Sequence, residues 1–429
     1  MLPAMISETF PTDETWRPGT RMAFRFALAW FVLIDLPFPL NAFPPLERVT
    51  EPLDAMWAAI VSFAGRHLFG LQQIAHETTG SGDRTYDYVL LFCQTAIAVI
   101  VTVLWSMFDR RREYKTLHAW LRVYVRFALA AAMLTYGAYK VIPAQFPPNS
   151  PFRLSETFGD ASPMGLLWAF MGASAAYTIF AGLGEVTGGV LLIFRRTALL
   201  GALVSMAVLA NIVMLNFSYD VPVKLYSSGL FLHGVFLVIP DLRRILDFFV
   251  LHGPTTPLQE PVVIASPAFR RAAPFLATAF MLTLFGFPLD ASYKQLRTRL
   301  DGGPLYGIWT VEAFSADGAS LPPLLTDSLR WRRLTFHGKS IAWVQLMDDT
   351  RQPYVATLDE RARTLTLAPR EKPAQKSVFA YAKPQPGLLT LRGTHANRKV
   401  DITLRSKDLS KFLLISRGFH WINEVPFNR

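Results

Sequence analysis

The chain has 429 residues, of which 51% are hydrophobic and 17% are charged, and its formal net charge is +11. The charged fraction lies below the ~25% of ordinary soluble domains, which indicates a membrane protein. A single cysteine, Cys93, excludes a disulfide within the chain and dithiol redox chemistry.

The basic excess is strong in residues 301–429, which hold 19 Lys and Arg against 12 Asp and Glu. We expect this part to be drawn to anionic lipid head groups. Nucleic acid is not an expected partner, because the topology predicted below places these residues outside the cytosol.

Seven apolar segments are predicted to span a membrane. The first follows Arg17 and Arg21, as in a signal peptide. It lacks a small-residue cleavage pattern after it, so an uncleaved span is the prediction. The segments are 22–36, 88–108, 120–142, 172–194, 198–217, 222–239 and 273–287.

Helical spacing of apolar residues over 50–69 predicts an amphipathic helix on the outer membrane surface. Ser162-Pro163 predicts a capped helix start, and a break is expected near Gly172. Gly182, Gly184, Gly188 and Gly189 lie within a span and predict close helix packing. Arg122 and Arg126 are expected to contact lipid phosphates.

Charge bias predicts the orientation of the spans. The segments 1–25, 109–118, 195–197 and 240–272 hold 13 Lys and Arg, whereas the opposite segments 36–87, 143–163 and 218–224 hold five. The positive-inside rule then places the amino terminus in the cytosol of a bacterial-type cytoplasmic membrane. With seven spans, residues 301–429 lie on the extracytoplasmic side.

Residues 301–429 contain eight short β segments separated by Gly, Pro, Asp and Asn turns, which predict a meander closing into a barrel. Gly307-Ile308-Trp309 resembles the G-x-W start of lipocalin-like barrels. The segments are 306–314, 328–337, 340–347, 353–359, 363–368, 377–382, 387–393 and 399–405.

Glu185 falls near the middle of the fourth span, where an unpaired charge costs at least ~2.5 kcal/mol. Helix rise places further polar residues at similar depth or toward the outer face. Glu185 and Lys140 are the candidate catalytic residues. The candidate ligand-binding residues are Tyr136, Asn211, His233, Asn216, Asp220 and Lys224.

Two interpretations of this group remain open. The residues can hold helices together through hydrogen bonds of ~0.6 kcal/mol each. Alternatively they form a site for a quinone, whose carbonyl oxygens need donors such as Lys140 and Tyr136, and whose reduction needs protons that Glu185 can relay. No metal-ligand spacing and no covalent cofactor motif is found in the sequence.

Residues 119–245 resemble the DoxX family of small membrane proteins. The resemblance is carried by Arg126-Phe127, by Gly137-Ala-Tyr-Lys140 and by 185–198, a Glu followed by a glycine-rich helix end and an Arg-x-Ala turn. It implies a four-helix core and an association with membrane redox complexes. One branch of that family is similar to subunits of thiosulfate:quinone oxidoreductases. Lys140 and Glu185 are the matching polar residues.

The predicted fold is an α-helical polytopic bundle of about seven spans over 1–300, followed by an all-β, barrel-like soluble domain over 301–429. The leading hypothesis is a redox-linked subunit that binds quinone and accepts electrons from a partner protein. The alternative is a non-enzymatic, membrane-anchored protein that binds a lipid or partner, or assists assembly. Transport is disfavoured, because the cytosolic halves of the spans are nearly all apolar.

Overall fold

The computed structural model describes residues 15–43, 46–76, 79–255 and 266–428. By contacts, the chain divides into two compact units, 1–138 with 182–288 and 139–181 with 289–429. The boundary at residue 300 predicted from composition stays a prediction. The helices in the described ranges are α1 (Pro18–Asp35), α2 (Glu47–Leu68), α3 (Thr85–Phe108), α4 (Lys115–Val141), α5 (Pro151–Leu154), α6 (Pro163–Ala173), α7 (Ala175–Ile193), α8 (Ala198–Ser218), α9 (Lys224–Val238), α10 (Leu242–Phe249), α11 (Pro267–Leu300) and α12 (Leu413–Ser416).

Seven helical segments of the described chain are long and apolar enough to cross a membrane, as the sequence predicts. They contain α1, α3, α4, α7, α8, α9 with α10, and α11. The helix α2 is not among these seven. It packs through Val61 and Ala64 against Tyr86 and Cys93 of α3, while Phe63 and Leu68 stay exposed. Its predicted position on the outer membrane surface stays a prediction.

Local sequence sets the boundaries between α6 and α7. The hydroxyl of Ser162 accepts a hydrogen bond from the backbone N–H of Gly165 at 3.0 Å, and Pro163 occupies the first turn of α6. The predicted break is present, because Ser174 has φ −134° and ψ 102°, an extended conformation. The chain therefore forms two helices here rather than one long one.

Close approach of helices explains the glycines in α7. A Cβ at Gly188 would lie 2.5 Å from Ser205 Oγ of α8, and one at Gly189 would lie 2.8 Å from Leu134 Cγ of α4. Real Cβ atoms do not occupy such space, so glycine lets α7 pack closely against both helices. The interpretation as packing residues is confirmed for Gly188 and Gly189, and it stays a prediction for Gly182 and Gly184.

The β strands form one antiparallel sheet that closes on itself. Seven of the strands follow one another as neighbours from β3 to β9, β3 pairs with β1, and β1 pairs with β9. The two-residue β2 pairs antiparallel with the end of β1 alone, so the other eight strands make the barrel, as predicted. The strands are β1 (Gly307–Ala316), β2 (Ala319–Ser320), β3 (Trp331–Phe336), β4 (Ile341–Leu346), β5 (Arg351–Asp359), β6 (Thr364–Pro369), β7 (Ser377–Ala382), β8 (Leu388–His395) and β9 (Arg398–Lys407).

The interior of the barrel is filled by large side chains. Phe314, Trp331 and Phe379 are fully buried and belong to one continuous apolar cluster. Trp309, from the Gly307-Ile308-Trp309 start, is also buried, and its indole N–H donates to the carbonyl of Leu305 at 2.8 Å. A lipocalin-like barrel therefore fits this domain, with side chains occupying its core.

The second unit also contains the segment 139–181, which packs on the barrel. The ring of Phe152 lies 4.5 Å from that of Trp343 on β4, and the guanidinium of Arg351 on β5 lies over the same phenyl ring. Arg351 also donates to the carbonyl of Ser155. A second arginine, Arg299 of α11, donates to the carbonyl of Ala144 at 2.9 Å.

Candidate functional site

Glu185 lies on α7 and is only 2% exposed. Close packing positions it, because a Cβ at Gly137 of α4 would lie 3.0 Å from the backbone nitrogen of Val186. The residue before Gly137 is Tyr136, which lies within electrostatic range of Glu185. The structure thus places within electrostatic range an acid that the sequence put near the middle of its span and a phenol that it put toward the outer face.

Lys140 is buried in the last turn of α4. It lies four residues after Tyr136, so the two residues occupy neighbouring positions on one face of that helix. Lys140 belongs to the second compact unit and Glu185 to the first. Their pairing stays a prediction.

His233 forms a buried contact that the sequence did not predict. Its Nε2 lies 2.9 Å from Oδ1 and 3.1 Å from Oδ2 of Asp35, at the end of α1. Its Nδ1 lies 2.8 Å from the carbonyl oxygen of Gly229, one turn earlier on α9. The ring of Phe31 packs edge-on against the imidazole at 4.9 Å. Both partners are largely removed from solvent, so an acid and an imidazole face each other inside the helical unit.

Tyr226 interacts electrostatically with the Asp35 side and with the Tyr136 side of the site. It is within range of Asp35 and of Tyr136, and its ring centre is 5.9 Å from that of Tyr136. Asp35 and Tyr226 were not among the predicted site residues. Asp35 carried a usable signal, since it is an acid within the apolar run 22–36 and intramembrane acids are functional candidates by default.

The two predicted asparagines of α8 differ in placement. Asn216 is buried, and its amide donates to the hydroxyl of Ser227 on α9 at 3.0 Å. Asn211 is exposed on the helix surface. The structure therefore joins Asn216 to α9 and does not bring Asn211 into the buried polar group.

Asp220 and Lys224 pair at the surface, where the Lys224 ammonium lies 2.8 Å from Asp220. Lys224 also takes part in a helix cap. The carboxylate of Asp83 accepts from the backbone N–H groups of Lys224 and Leu225 at 2.8 and 3.0 Å, which satisfies the start of α9. These contacts indicate that the predicted site residues Asp220 and Lys224 fix the loop before α9.

Arg122 forms an ion pair that the sequence did not predict, and the expected contact of Arg122 and Arg126 with lipid phosphates stays a prediction. Arg122 lies 3.0 Å from Asp241, whose side chain is fully buried, and Arg244 lies 2.5 Å from the other carboxylate oxygen. A carboxylate between two guanidinium groups is compensated from both sides. This cluster holds α10 against α4 and lies apart from the predicted site residues.

Seven membrane-capable helices with a buried acid–imidazole pair, joined to a closed eight-stranded barrel, define a polytopic helical membrane protein with a β-barrel domain. Over 124 residues the chain is 34% identical to the uncharacterized protein YwoB of Bacillus subtilis (strain 168), a match that covers 29% of this chain and 79% of YwoB. The chain belongs to the family of YwoB. No family model matches the chain, so the resemblance to DoxX is not confirmed. No solved structure matches it.

Proposed function

We propose that this protein is a redox-linked membrane subunit that binds a quinone beside Glu185. The observation that carries the proposal is a buried acid, Glu185, that acts electrostatically on a partly exposed phenol, Tyr136, inside a membrane-capable helical unit. An ionisable residue at such a place is costly and is retained chiefly for function. The predicted cytoplasmic membrane and outward barrel are part of this proposal.

The chemistry of the group suits a quinone ring. Tyr136 and Tyr226 carry hydroxyl groups that can donate to carbonyl oxygens, and both are open to the outside of the helical unit. Glu185 can hold a proton behind Tyr136 and deliver it on reduction. Lys140, one turn further along α4, is the predicted second donor. The resemblance to DoxX, with its thiosulfate:quinone oxidoreductase branch, supports the proposal of quinone binding. The electrons would come from a reduced partner protein.

The test uses the full chain in lipid nanodiscs. The purified protein should retain quinone, detectable by mass spectrometry of the extracted small molecules. Glu185→Gln should abolish quinone-dependent electron transfer while the protein stays folded. The matched control is Glu113→Gln, because Glu113 is an exposed acid that pairs with Lys115. Wild-type transfer rates in the Glu185→Gln protein would refute the proposal.

One observation favours the assembly alternative. The segment 418–428 exposes several large apolar side chains, with Trp421 at 91% exposure. Such a patch suits a partner surface, whereas the filled barrel core does not suit capture of a lipid inside it. Under this function, a photo-cross-linker at position 421 would give one defined adduct in native membranes. Glu185→Gln would leave the yield of that adduct unchanged and reduce only stability.

A further inference from the structure

His233 and Asp35 form a hydrogen-bonded pair that can share a proton. Nδ1 of His233 faces the carbonyl oxygen of Gly229 at 2.8 Å, and since a carbonyl only accepts, Nδ1 must carry a hydrogen. Nε2 faces both oxygens of Asp35. Without a hydrogen on this side, the nitrogen lone pair would oppose the lone pairs of a carboxylate. A hydrogen on Nε2 or on Asp35 satisfies this contact, so the geometry suits a pair with one transferable proton.

Two tyrosines connect this pair with Glu185. Tyr226 and His233 lie seven residues apart on α9, which places them on the same helix face. Tyr226 is within electrostatic range of Asp35, and Tyr136 is within range of Glu185. The two phenol rings are neighbours, and a hydroxyl can donate one hydrogen bond while it accepts another.

Exposure separates the groups that can touch a ligand from those that cannot. Tyr136 and Tyr226 are 38% and 47% exposed, whereas Glu185 and His233 are each 2% exposed. A flat ring that reaches the helical unit from the side therefore meets the tyrosines first. Each tyrosine is influenced electrostatically by one acid, Tyr136 by Glu185 and Tyr226 by Asp35. On the Asp35 side, Tyr124 of α4 is the other titratable neighbour, and its hydroxyl lies 3.5 Å from the carbonyl oxygen of Phe38.

We propose that the Asp35–His233 pair supplies one of the two protons that a quinone takes up on reduction, and that Glu185 supplies the other. This inference rests on the proposed function. A reduced partner protein delivers two electrons, and each ring carbonyl gains a hydrogen through the adjacent tyrosine, so that quinone becomes quinol. Glu185 is left as a carboxylate, and the pair is left as an Asp35 carboxylate beside neutral His233. Each group regains a proton from water only after the quinol has left the site.

The experiment is infrared difference spectroscopy of the full chain in nanodiscs while bound quinone is reduced electrochemically. Two groups should lose a proton, one signal disappearing in Glu185→Gln and the other in Asp35→Asn. Quinol formation should slow by about tenfold or more in Asp35→Asn, with the quinone Kd unchanged within about twofold. Tyr226→Phe leaves the acid–imidazole pair in place and should slow the reaction similarly. Tyr88→Phe, at an exposed tyrosine of α3, is the matched control.

The two proposals fail in different ways. If the wild-type protein binds no quinone, the proposed function falls and this inference falls with it. If quinone binds and is reduced, but Asp35→Asn and Tyr226→Phe react at the wild-type rate, only the second proton source is refuted. A difference spectrum with the Glu185 signal alone would refute it as well.

Discussion

Nε2 of His233 lies 2.9 Å from Oδ1 of Asp35, although the two residues are 198 positions apart in the sequence. The contact ties α1 to α9. The helix α1 precedes residues 119–245, which the sequence predicts to form the core, so this pair attaches a leading helix to that predicted core. Besides the buried Glu185, the described membrane-capable helices therefore contain Asp35, a half-buried acid with a buried imidazole partner.

Breaking the Asp35–His233 pair should destabilise the protein. Removing one partner leaves the other buried without compensation, so Asp35→Asn and His233→Gln should each lower the free energy of unfolding by about 2–4 kcal/mol. The double variant should lose much less than the two single losses combined, because one interaction is removed twice. Thermal unfolding in detergent measures this cycle. Additive losses would show that the two residues do not stabilise the fold through each other.

Close packing at the turn between α7 and α8 gives a second prediction. A Cβ at Gly201 would lie 2.6 Å from the backbone nitrogen of Leu192, and backbone cannot move aside as a side chain can. Gly201→Ala should therefore cost about 1–3 kcal/mol in unfolding experiments. Gly229 on α9 has open space around its Cβ position. Gly229→Ala is the control and should be neutral or slightly stabilising; equal losses for both would contradict the packing argument.

Local patterns predicted much of the fold. Alternating residues separated by turn residues gave eight strands, and apolar runs gave seven membrane-capable helices. The cap at Ser162 and the break near Gly172 were also predictable, because both depend on residues within one turn of each other.

The sequence did not predict well which residues of each helix face the interior of the bundle. The helix α8 is apolar on nearly every side, so its sequence does not indicate which face is buried, and Asn211 and Asn216 could not be told apart. The contact partners of His233 and Arg122 could not be predicted either, because they lie on helices far away in the sequence. The depth of His233 follows from helix rise, but its contact with Asp35 depends on how α1 and α9 are placed by the rest of the bundle. The ion pair of Arg122 with Asp241 likewise depends on how the bundle places α4 beside the start of α10.

The cluster of Asp241 with Arg122 and Arg244 leads to a third prediction. Asp241 is fully buried between two guanidinium groups, so Asp241→Asn leaves two positive charges facing each other. We expect a loss of about 3–5 kcal/mol in the free energy of unfolding. Asp290→Asn removes an acid from the exposed pair with Lys294 on α11 and should have little effect. Chemical denaturation of both variants measures the difference, and a stable Asp241→Asn protein would contradict it.

The barrel should lose stability as the pH falls below about 6.5, the ordinary value for histidine. The indole N–H of Trp331 donates to Nε2 of His395 at 3.3 Å, and Nδ1 lies 2.9 Å from the hydroxyl of Ser377. Nε2 is therefore an acceptor and must stay unprotonated in the fold. Burial lowers the pKa of His395, and burial together with Arg299 lowers the pKa of His337.

The direction in which the free energy of unfolding changes with pH follows from which state binds more protons. Above pH 6.5 both histidines are neutral in the folded and unfolded chain, and the full stability is present. Below it the unfolded chain binds protons that the fold excludes, so the free energy of unfolding decreases. The pKa of Asp317 is lowered by its hydrogen bond with Arg398, so that acid titrates well below this window. Hydrogen exchange of the barrel strands between pH 5 and 7.5, corrected for intrinsic rates, should show a weaker pH dependence in His395→Gln. His420→Gln, at an exposed position, should behave as wild type, and an unchanged slope in His395→Gln would refute the role of His395.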